Sequence, residues 1–399
     1  MEPRTFMARA LALAAQGRAT THPNPRVGCV IVRDGRIIGE GWHQRAGEPH
    51  AEVFALRSAG ELARGADVYV SLEPCAHHGR TPPCADALIA AGVARVFAAA
   101  GDPFDKVAGK GFAKLRAAGI ECTSGLMETE ARALCRGFLS RIERGRPWVS
   151  LKLAMSLDGR TAMANGESRW ITGEQARADV HRLRAEAGAV LSSSETVLAD
   201  DPELNVRLPT DYFWPRHAFP GEAGHADRPP ATPSLASPAG GNSAIQGTVP
   251  YLRQPDRIVL DSSARVPTTA KVWREGARRF WLTAEAGMNA AENVETVVMP
   301  RDANGQVDLA AALAFLATRD INEVLVECGP RLAGSLLRAN LVDELIVYAA
   351  PKLLGDAARG LVRLPGLERL ADHVALAFTS AELLGPDLKI TARLTSKGS

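Results

Sequence analysis

His50-Ala51-Glu52 and the stretch EPCAHHGRTPPC at 73–84 put one histidine and two cysteines where a single metal ion would gather them. A fold that does so must bring residue 50 against residues 75 and 84. The two cysteines are nine positions apart, too wide for a zinc-ribbon knuckle, and the stretch between them is too polar for a core. Six cysteines in all, Cys29, Cys75, Cys84, Cys122, Cys135 and Cys328, are scattered along 399 residues. The N-terminal stretch lacks a signal-peptide apolar region, so a disulfide framework is not expected. Metal binding or buried thiols are the default readings.

His-x-Glu followed by Pro-Cys and a second Cys is the pattern of zinc-dependent deaminases acting on cytosine- and adenine-type rings. A catalytic zinc takes three protein ligands and leaves one position open for water, whose pKa it lowers to about 7. His50, Cys75 and Cys84 would be the ligands. Glu52, two residues from a ligand at the start of the same helix, would carry the proton from water to ring nitrogen and leaving amine without touching the metal. Pro49 puts His50 in a first helical turn and Pro82-Pro83 puts Cys84 in another, where the helix dipole favours thiolate. The competing reading is a structural zinc site made by the loop alone, with His77 or His78 as a ligand and Glu52 idle. Cys29, Cys122 and Cys135 read as small buried apolar residues.

The length suggests two domains, or three. A net charge of +2 and the lack of a basic run argue against nucleic acid or a membrane surface as partner, and no apolar stretch approaches the roughly 20 residues of a membrane span. Small molecules are the expected partners. Helices are expected near 2–16, 49–60, 84–92, 109–119 and 129–142, with strands at 27–32, 36–42, 67–72, 94–100 and 120–123. Strand signals alternating with helix signals make this an α/β domain. Gly145 and Pro147 then punctuate, and a second α/β alternation begins with a strand at 148–154. The domain boundary is placed at about 145, giving domains 1–145 and 146–399. In the second, helices are expected near 173–187 and 329–340, and strands at 189–193, 257–261, 279–283, 323–328 and 344–351. Residues 209–250, rich in Pro, Gly, Ala and Ser and without a period, read as a flexible insertion.

TTHPNPRVGCVIVRDGRIIGEGWHQRAGEPHAE together with SLEPCAHHGRTPPC resembles the deaminase half of the bifunctional riboflavin-biosynthesis deaminase/reductase family. General deaminases use Cys-x-x-Cys; the eight-residue gap here is the form of this family. The resemblance implies a cytidine-deaminase-like three-layer α/β/α domain. It also implies that Asn24 and His43 hold the pyrimidine and sugar, and that His77 and Arg80 meet the substrate's phosphate.

From about 147 to 390 the chain resembles the reductase half of the same family, with a dihydrofolate-reductase-like α/β fold. SLKLAMSLDGRTA, ESRWITGEQARADVHRLRAEA, SSSETVLADDPELNVR, VECGPRLAGSLL and DELIVYAAPKLLG carry the match. No Gly-x-Gly-x-x-Gly is present, so a nicotinamide cofactor must be held another way. Gly329, Pro330, Arg331 and Leu332 open a helix after a strand, where free N–H groups would take its pyrophosphate. The resemblance adds Ala154, Trp170, Thr196 and Asp200 at the cofactor. It puts Ser168, Arg184, Leu204, Arg207 and Glu327 at the substrate, with Lys152 as a further candidate near the sugar. Arg184 and Arg207 suit a ribose phosphate, which guanidinium binds through a fork. Read without the resemblance, Arg184 is a surface charge, Asp200-Asp201-Pro202 a turn and cap, and Trp170 a core residue. The resemblance implies a cytoplasmic enzyme using Zn2+ and NADPH, forming homo-oligomers. It would hydrolyse the 2-amino group of a diaminopyrimidinone ribosyl phosphate, then reduce the ribosyl group of the uracil product.

Overall fold

The computed structural model describes residues 2–77, 82–104, 107–207, 252–287 and 292–395. The expected insertion at 209–250 lies outside the described residues.

Helix α1 (Pro3–Ala15) turns Phe6, Met7, Ala10, Leu11, Leu13 and Ala14 inward, the stripe that a 3.6-residue period allows. Strands β1 (Gly28–Arg33) and β2 (Arg36–Trp42) form the expected hairpin. Asp34 and Gly35 at its tip have φ of 50° and 71°, the left-handed pair that a two-residue turn requires. There follow α2 (Ala51–Ala59), β3 (Asp67–Val70), α3 (Cys84–Ala91), β4 (Arg95–Ala98), α4 (Lys110–Ala117) and β5 (Glu121–Ser124). The strand order is β2-β1-β3-β4-β5, antiparallel around β1 and parallel from β3 to β5. One face of this sheet, with Cys29, Ile31, Val68 and Val70, packs on Ala51, Ala55, Leu88 and Leu115 of α2, α3 and α4. The other, with Val30, Val32 and Tyr69, packs on Phe6, Met7 and Ala10 of α1. The layers are therefore helix, sheet, helix.

Glycines set how closely the helices lie. A Cβ on Gly39 or Gly41 of β2 would stand 2.4 Å from a carbonyl oxygen of α2, that of Ala55 or Ala51 respectively. Only glycine lets α2 lie that close to the strand, and α2 is the helix that His50 caps and Glu52 opens. Helix α2 starts at Ala51, so Pro49 precedes the helix instead of occupying its first turn.

The single helix expected over 129–142 is two, α5 (Glu128–Leu134) and α6 (Arg136–Arg144). They break at Cys135, whose thiol donates to the Arg26 carbonyl at 3.2 Å.

The second sheet contains β6 (Trp148–Ser156), β8 (Ala189–Ser193), β9 (Asp256–Leu260), β10 (Arg279–Thr283), β11 (Glu295–Val298), β12 (Glu323–Glu327), β13 (Glu344–Ala350), β15 (Leu376–Leu384) and β16 (Asp387–Leu394). The short strands β7 (Arg160–Ala162) and β14 (Arg359–Gly360) pair separately. The order is β11-β10-β9-β8-β12-β6-β13-β16-β15, parallel up to β13 and antiparallel at the β16-β15 edge. Helices α7 (Glu174–Glu186), α8 (Ser194–Asp200), α9 (Leu309–Thr318) and α10 (Pro330–Arg338) pack against it. The core on one face joins Val149, Leu151, Val324 and Val326 to Leu313, Leu316 and Leu336.

Helix α6 joins the two bodies. Arg136 reaches Glu344 at 2.7 Å, and Arg26 reaches Glu323 at 2.9 Å. A Cβ on Gly137 would stand 2.1 Å from Cγ of Glu323, and one on Gly188 would stand 2.6 Å from Cε1 of His22. The domains thus meet through glycines at backbone range.

Candidate functional site

His50 caps α2, Cys75 lies in the loop after β3, and Cys84 begins α3. His50 Nδ1 is 3.6 Å from Cys75 Sγ and 3.3 Å from Cys84 Sγ, and the three ligand atoms lie within 4.8 Å of one another. Metal bonds of about 2.0–2.1 Å to nitrogen and 2.3 Å to sulfur, at tetrahedral angles, give N···S edges of about 3.5 Å. The observed spacing fits zinc without rearrangement. The Cys84 thiol, the His50 ring and the Cys84 backbone N–H, which donates to Cys75 Sγ at 3.3 Å, hold the Cys75 thiol well below its ordinary range. That favours the thiolate a metal needs.

Glu52 is 3% exposed, and its Oε2 has no hydrogen-bond partner among the described residues. Burial raises its pKa, against the pull of His50. Glu52, His50 and Cys75 line a cleft of about 410 Å³ that also includes Asn24, His43 and His77. Asn24 Nδ2 meets His43 Nε2 at 3.0 Å, and His43 Nδ1 meets the Pro49 carbonyl at 3.0 Å. The carbonyl can only accept, so Nδ1 carries the proton and Nε2 accepts from Asn24. Burial lowers the His43 pKa to about 4, which keeps the ring neutral. His77 faces the cleft with its edge toward Phe104, and Arg80 lies outside the described residues.

In the second domain, Thr196 Oγ1 accepts from the Gly329 N–H at 3.2 Å, which joins two of the expected cofactor positions. The Gly329 N–H is therefore not free, and the N–H groups of Arg331 and Leu332 remain for an anion at the start of α10. A Cβ at Gly329 would find only Thr196 Oγ1, at 3.9 Å, so space for a ligand is open there. Arg331 and Leu332 line a cleft of about 560 Å³ shared with Ser262, Arg265, Arg338 and Arg363. A cleft so rich in arginine fits a polyphosphate cofactor. Ala154 packs beside Ala176 and Tyr348. Trp170 is 65% exposed under the Arg177 guanidinium, so it is not a core residue. Asp200 ends α8, and its carbonyl accepts from Arg169.

Two family models match: "RibD C-terminal domain" over residues 147–390 and "Cytidine and deoxycytidylate deaminase zinc-binding region" over residues 1–100. The riboflavin biosynthesis protein RibD of Escherichia coli K12 is 53% identical over 389 residues, covering 97% of this chain and 98% of its own. That of Haemophilus influenzae is 47% identical over 405 residues, covering 98% and 97%. Among solved structures, form 1 of Acinetobacter baumannii RibD superposes with a TM-score of 0.82 at 40% identity, covering 98% of this chain and 99% of that one. A Thermotoga maritima deaminase/reductase superposes with a TM-score of 0.80 at 32% identity, covering 98% of both chains.

The chain belongs to the RibD family. Its first domain is cytidine-deaminase-like and its second is a RibD reductase domain. It is a bifunctional enzyme of riboflavin biosynthesis, a zinc-dependent diaminohydroxyphosphoribosylaminopyrimidine deaminase and an NADPH-dependent 5-amino-6-(5-phosphoribosylamino)uracil reductase. Among the described residues no helix is long and apolar enough to cross a membrane.

The substrate positions expected in the RibD reductase half come together in part. Arg184, Glu327 and Lys152 form one buried cluster. The Arg184 fork is not open to a phosphate as expected. Nε and Nη2 grip Glu327 at 2.5 and 3.0 Å, and Nη1 donates to the Asn205 carbonyl at 3.0 Å. Leu204, with φ of 52°, is 2% exposed and its side chain lies in a core with Val190 and Val259, which leaves its backbone as the part open to a substrate. Arg207 is exposed, with Nη1 on Asn205 Oδ1 at 2.7 Å. Ser168 is half-buried in the loop between β7 and α7.

Sequence reasoning missed several residues. Glu73 is 5% exposed and accepts from the backbone N–H groups of Asp102, Gly109 and Phe112, which ties the outer loop to the cleft. Asp102 lines the cleft, and burial raises its pKa to about 6. The one local cue was that Glu73 directly precedes Pro74-Cys75.

Proposed function

We propose that His50, Cys75 and Cys84 are the zinc ligands of the deamination step and that Glu52 is its proton shuttle. The observation that carries this is the unpartnered, buried Glu52 oxygen beside three converged ligand atoms. Zinc bound there supplies a water activated at neutral pH. Glu52 would take a proton from that water and deliver it to the ring nitrogen, and would then carry a second proton, from the hydroxyl group added to the ring carbon, to the leaving amine. Asn24, oriented by neutral His43, offers its carboxamide oxygen to the pyrimidine edge. His77, and Arg80 in the same loop, serve the phosphate.

In the second domain, Gly329, Pro330, Arg331 and Leu332 hold the cofactor with Thr196, Ala154, Trp170 and Asp200. NADPH supplies the hydride that turns the ribosyl group into a ribityl chain. Glu327, kept ionised by Arg184, and Lys152 bind the sugar hydroxyls, while Ser168 and Arg207 remain for the phosphate end. The division at about residue 145 follows α6 and precedes β6, a natural boundary for two separately cored sheets.

All six cysteines are free, and two of them serve the metal only when reduced, which suits the reducing cytoplasm. A second copy of the chain fits the outer edge at β15. That strand is almost wholly exposed and carries Leu376, Phe378 and Leu383, and antiparallel pairing of identical edges satisfies a twofold axis.

The test is NADPH oxidation and ammonia release by zinc-loaded protein given the diaminopyrimidinone ribosyl phosphate. The reductase needs the deaminated product, so equal amounts of both support the reading. Ammonia without NADPH oxidation would refute the reductase assignments, and neither signal would refute both.

A further inference from the structure

The cofactor cleft of the second domain runs along one edge of its sheet. Strands β9, β8, β12 and β6 are neighbours in that order and all parallel, so their carboxyl ends share that edge. Ligands of open α/β sheets bind outside such ends. Glu327 ends β12 and Lys152 lies on β6, so the sugar to be reduced sits on that side, and the nicotinamide must meet it there. With the pyrophosphate at the start of α10, the adenosine half extends the other way, over β8 toward β9. Two strand spacings are about 10 Å, a distance that a ribose, its phosphate and an arginine side chain cover together.

Asp261 follows β9 directly. An acid at such a strand end can accept from the ribose 2′-hydroxyl and would repel a phosphate there. Asp261 does neither. It is fully buried, and its Oδ2 accepts from the Val266 N–H at 2.8 Å and from Trp281 Nε1 at 3.2 Å. The carboxylate is committed to the turn it opens, and that turn presents Ser262, Ser263 and Arg265 to the cleft instead. Ser262 Oγ accepts from the Val307 N–H at 2.9 Å, which leaves its hydroxyl hydrogen to donate.

Other arginines line the cleft, but position and charge favour Arg265. Arg331 is paired with Glu195 at 2.7 Å. Arg363 lies across the middle of α10, where a Cβ on Gly334 would stand 1.9 Å from its carbonyl oxygen. Arg338 is eight residues beyond Pro330, about 12 Å farther along the helix axis. Arg265 instead bridges the ends of β9 and β8. Its Nη2 donates to Ser194 Oγ at 3.1 Å, a neutral partner that fixes the guanidinium without balancing its charge.

We propose that Arg265, with Ser262 and Ser263, takes the 2′-phosphate of NADPH, and that it thereby makes the second reaction select NADPH over NADH. This rests on the cofactor reading above and goes beyond it. The inward turn of Asp261 and the outward turn of Arg265 are one device: the first removes the repulsion and the second supplies the attraction.

The experiment titrates zinc-loaded full-length protein with NADPH and with NADH, following nucleotide fluorescence. Adenosine 2′,5′-bisphosphate and 5′-AMP then compete against bound NADPH. Wild type should bind NADPH and the bisphosphate more tightly than their counterparts without the 2′-phosphate. Arg265→Ala should raise Kd for NADPH and for the bisphosphate by about tenfold or more, with Kd for NADH and 5′-AMP nearly unchanged. Arg265→Lys should recover part of the loss, since it restores the charge without the fork. Equal losses on NADPH and NADH, or none on either, would overturn the proposal, and so would a selective loss in Arg338→Ala or Arg363→Ala with none in Arg265→Ala. Should the alanine variant fold poorly, Arg265→Gln removes the charge with a smaller change of shape and decides by the same ratio. Wild type that binds neither nucleotide refutes the cofactor reading itself, whereas wild type that binds both equally overturns this inference alone.

Discussion

Arg184 and Glu327 close on each other through two parallel hydrogen bonds, 2.5 and 3.0 Å long, with little of either side chain exposed. Burial would raise the Glu327 pKa, but Arg184 overrides it and holds the carboxyl down at about 2. A folded-state pKa below the unfolded one contributes stability at neutral pH, and this is lost as pH falls from 4.5 toward about 2. Glu327→Gln leaves Arg184 buried without a counter-ion and should cost about 3 kcal/mol at pH 7. Urea unfolding at pH 7 and pH 3 checks this. The gap between wild type and variant should narrow at the lower pH, and a gap that stays constant would mean the pair is not what holds Glu327 ionised.

Glu52→Gln keeps the shape of the side chain and removes the proton acceptor. Ammonia release should drop by about 10² or more, the usual contribution of a positioned acid–base group. Zinc content by elemental analysis should stay at one per chain. Deamination at the wild-type rate would assign the proton transfer to another group.

Metal removal should separate the two halves. The zinc ligands belong to the first sheet and its helices, while the second sheet has its own core around Val149, Val324 and Leu313. After chelation, ammonia release should vanish, and NADPH oxidation with supplied deaminated intermediate should persist. Readdition of zinc should restore the first reaction. Loss of both reactions would show that the second domain folds only against a metal-loaded first.

The parts of the fold visible in the sequence were those that local chemistry dictates. Asp34-Gly35 marked the hairpin because both residues tolerate positive φ. His50, Glu52, Cys75 and Cys84 were visible because metal chemistry restricts residue type and order. The break at Cys135 was not visible, since the local sequence reads as one helix and the hydrogen bond made at the break goes to Arg26, distant in sequence. Strand β15 was missed because it is exposed along nearly its whole length and shows no buried face. Arg141 of α6, which lines the zinc cleft, looked like one more charge on an arginine-rich helix. Its surroundings come from Asp320 and Asn322, some 180 residues away in sequence, and no local pattern carries that.

The β15 edge offers a fourth test. Phe378 and Leu383 are each 76% exposed. Replacing both with Glu should convert an oligomer to a smaller species by light scattering, with deamination preserved. A wild-type protein that is already monomeric would overturn the proposed second copy.

Gly41 ties the fold directly to the chemistry. A Cβ there would lie 2.4 Å from the Ala51 carbonyl oxygen, 2.5 Å from the Ala55 nitrogen and 2.6 Å from the Phe54 Cβ. Two of these are backbone atoms, so α2 must move as a body, and it carries Glu52 in its first turn and His50 as its cap. Gly41→Ala should therefore destabilise the first domain by about 1–3 kcal/mol through overpacking. It should also weaken zinc binding, because His50 shifts while Cys75 and Cys84, on a loop and on α3, stay. Gly360→Ala is the control, since a Cβ there meets nothing within 4 Å. Competition for zinc with a fluorescent chelator reads the difference. Gly41→Ala should lose its metal at lower chelator concentration than wild type, and Gly360→Ala should match wild type. If Gly41→Ala melts earlier yet holds zinc as tightly, the close approach of β2 to α2 serves stability alone and the metal geometry is set by the cysteines.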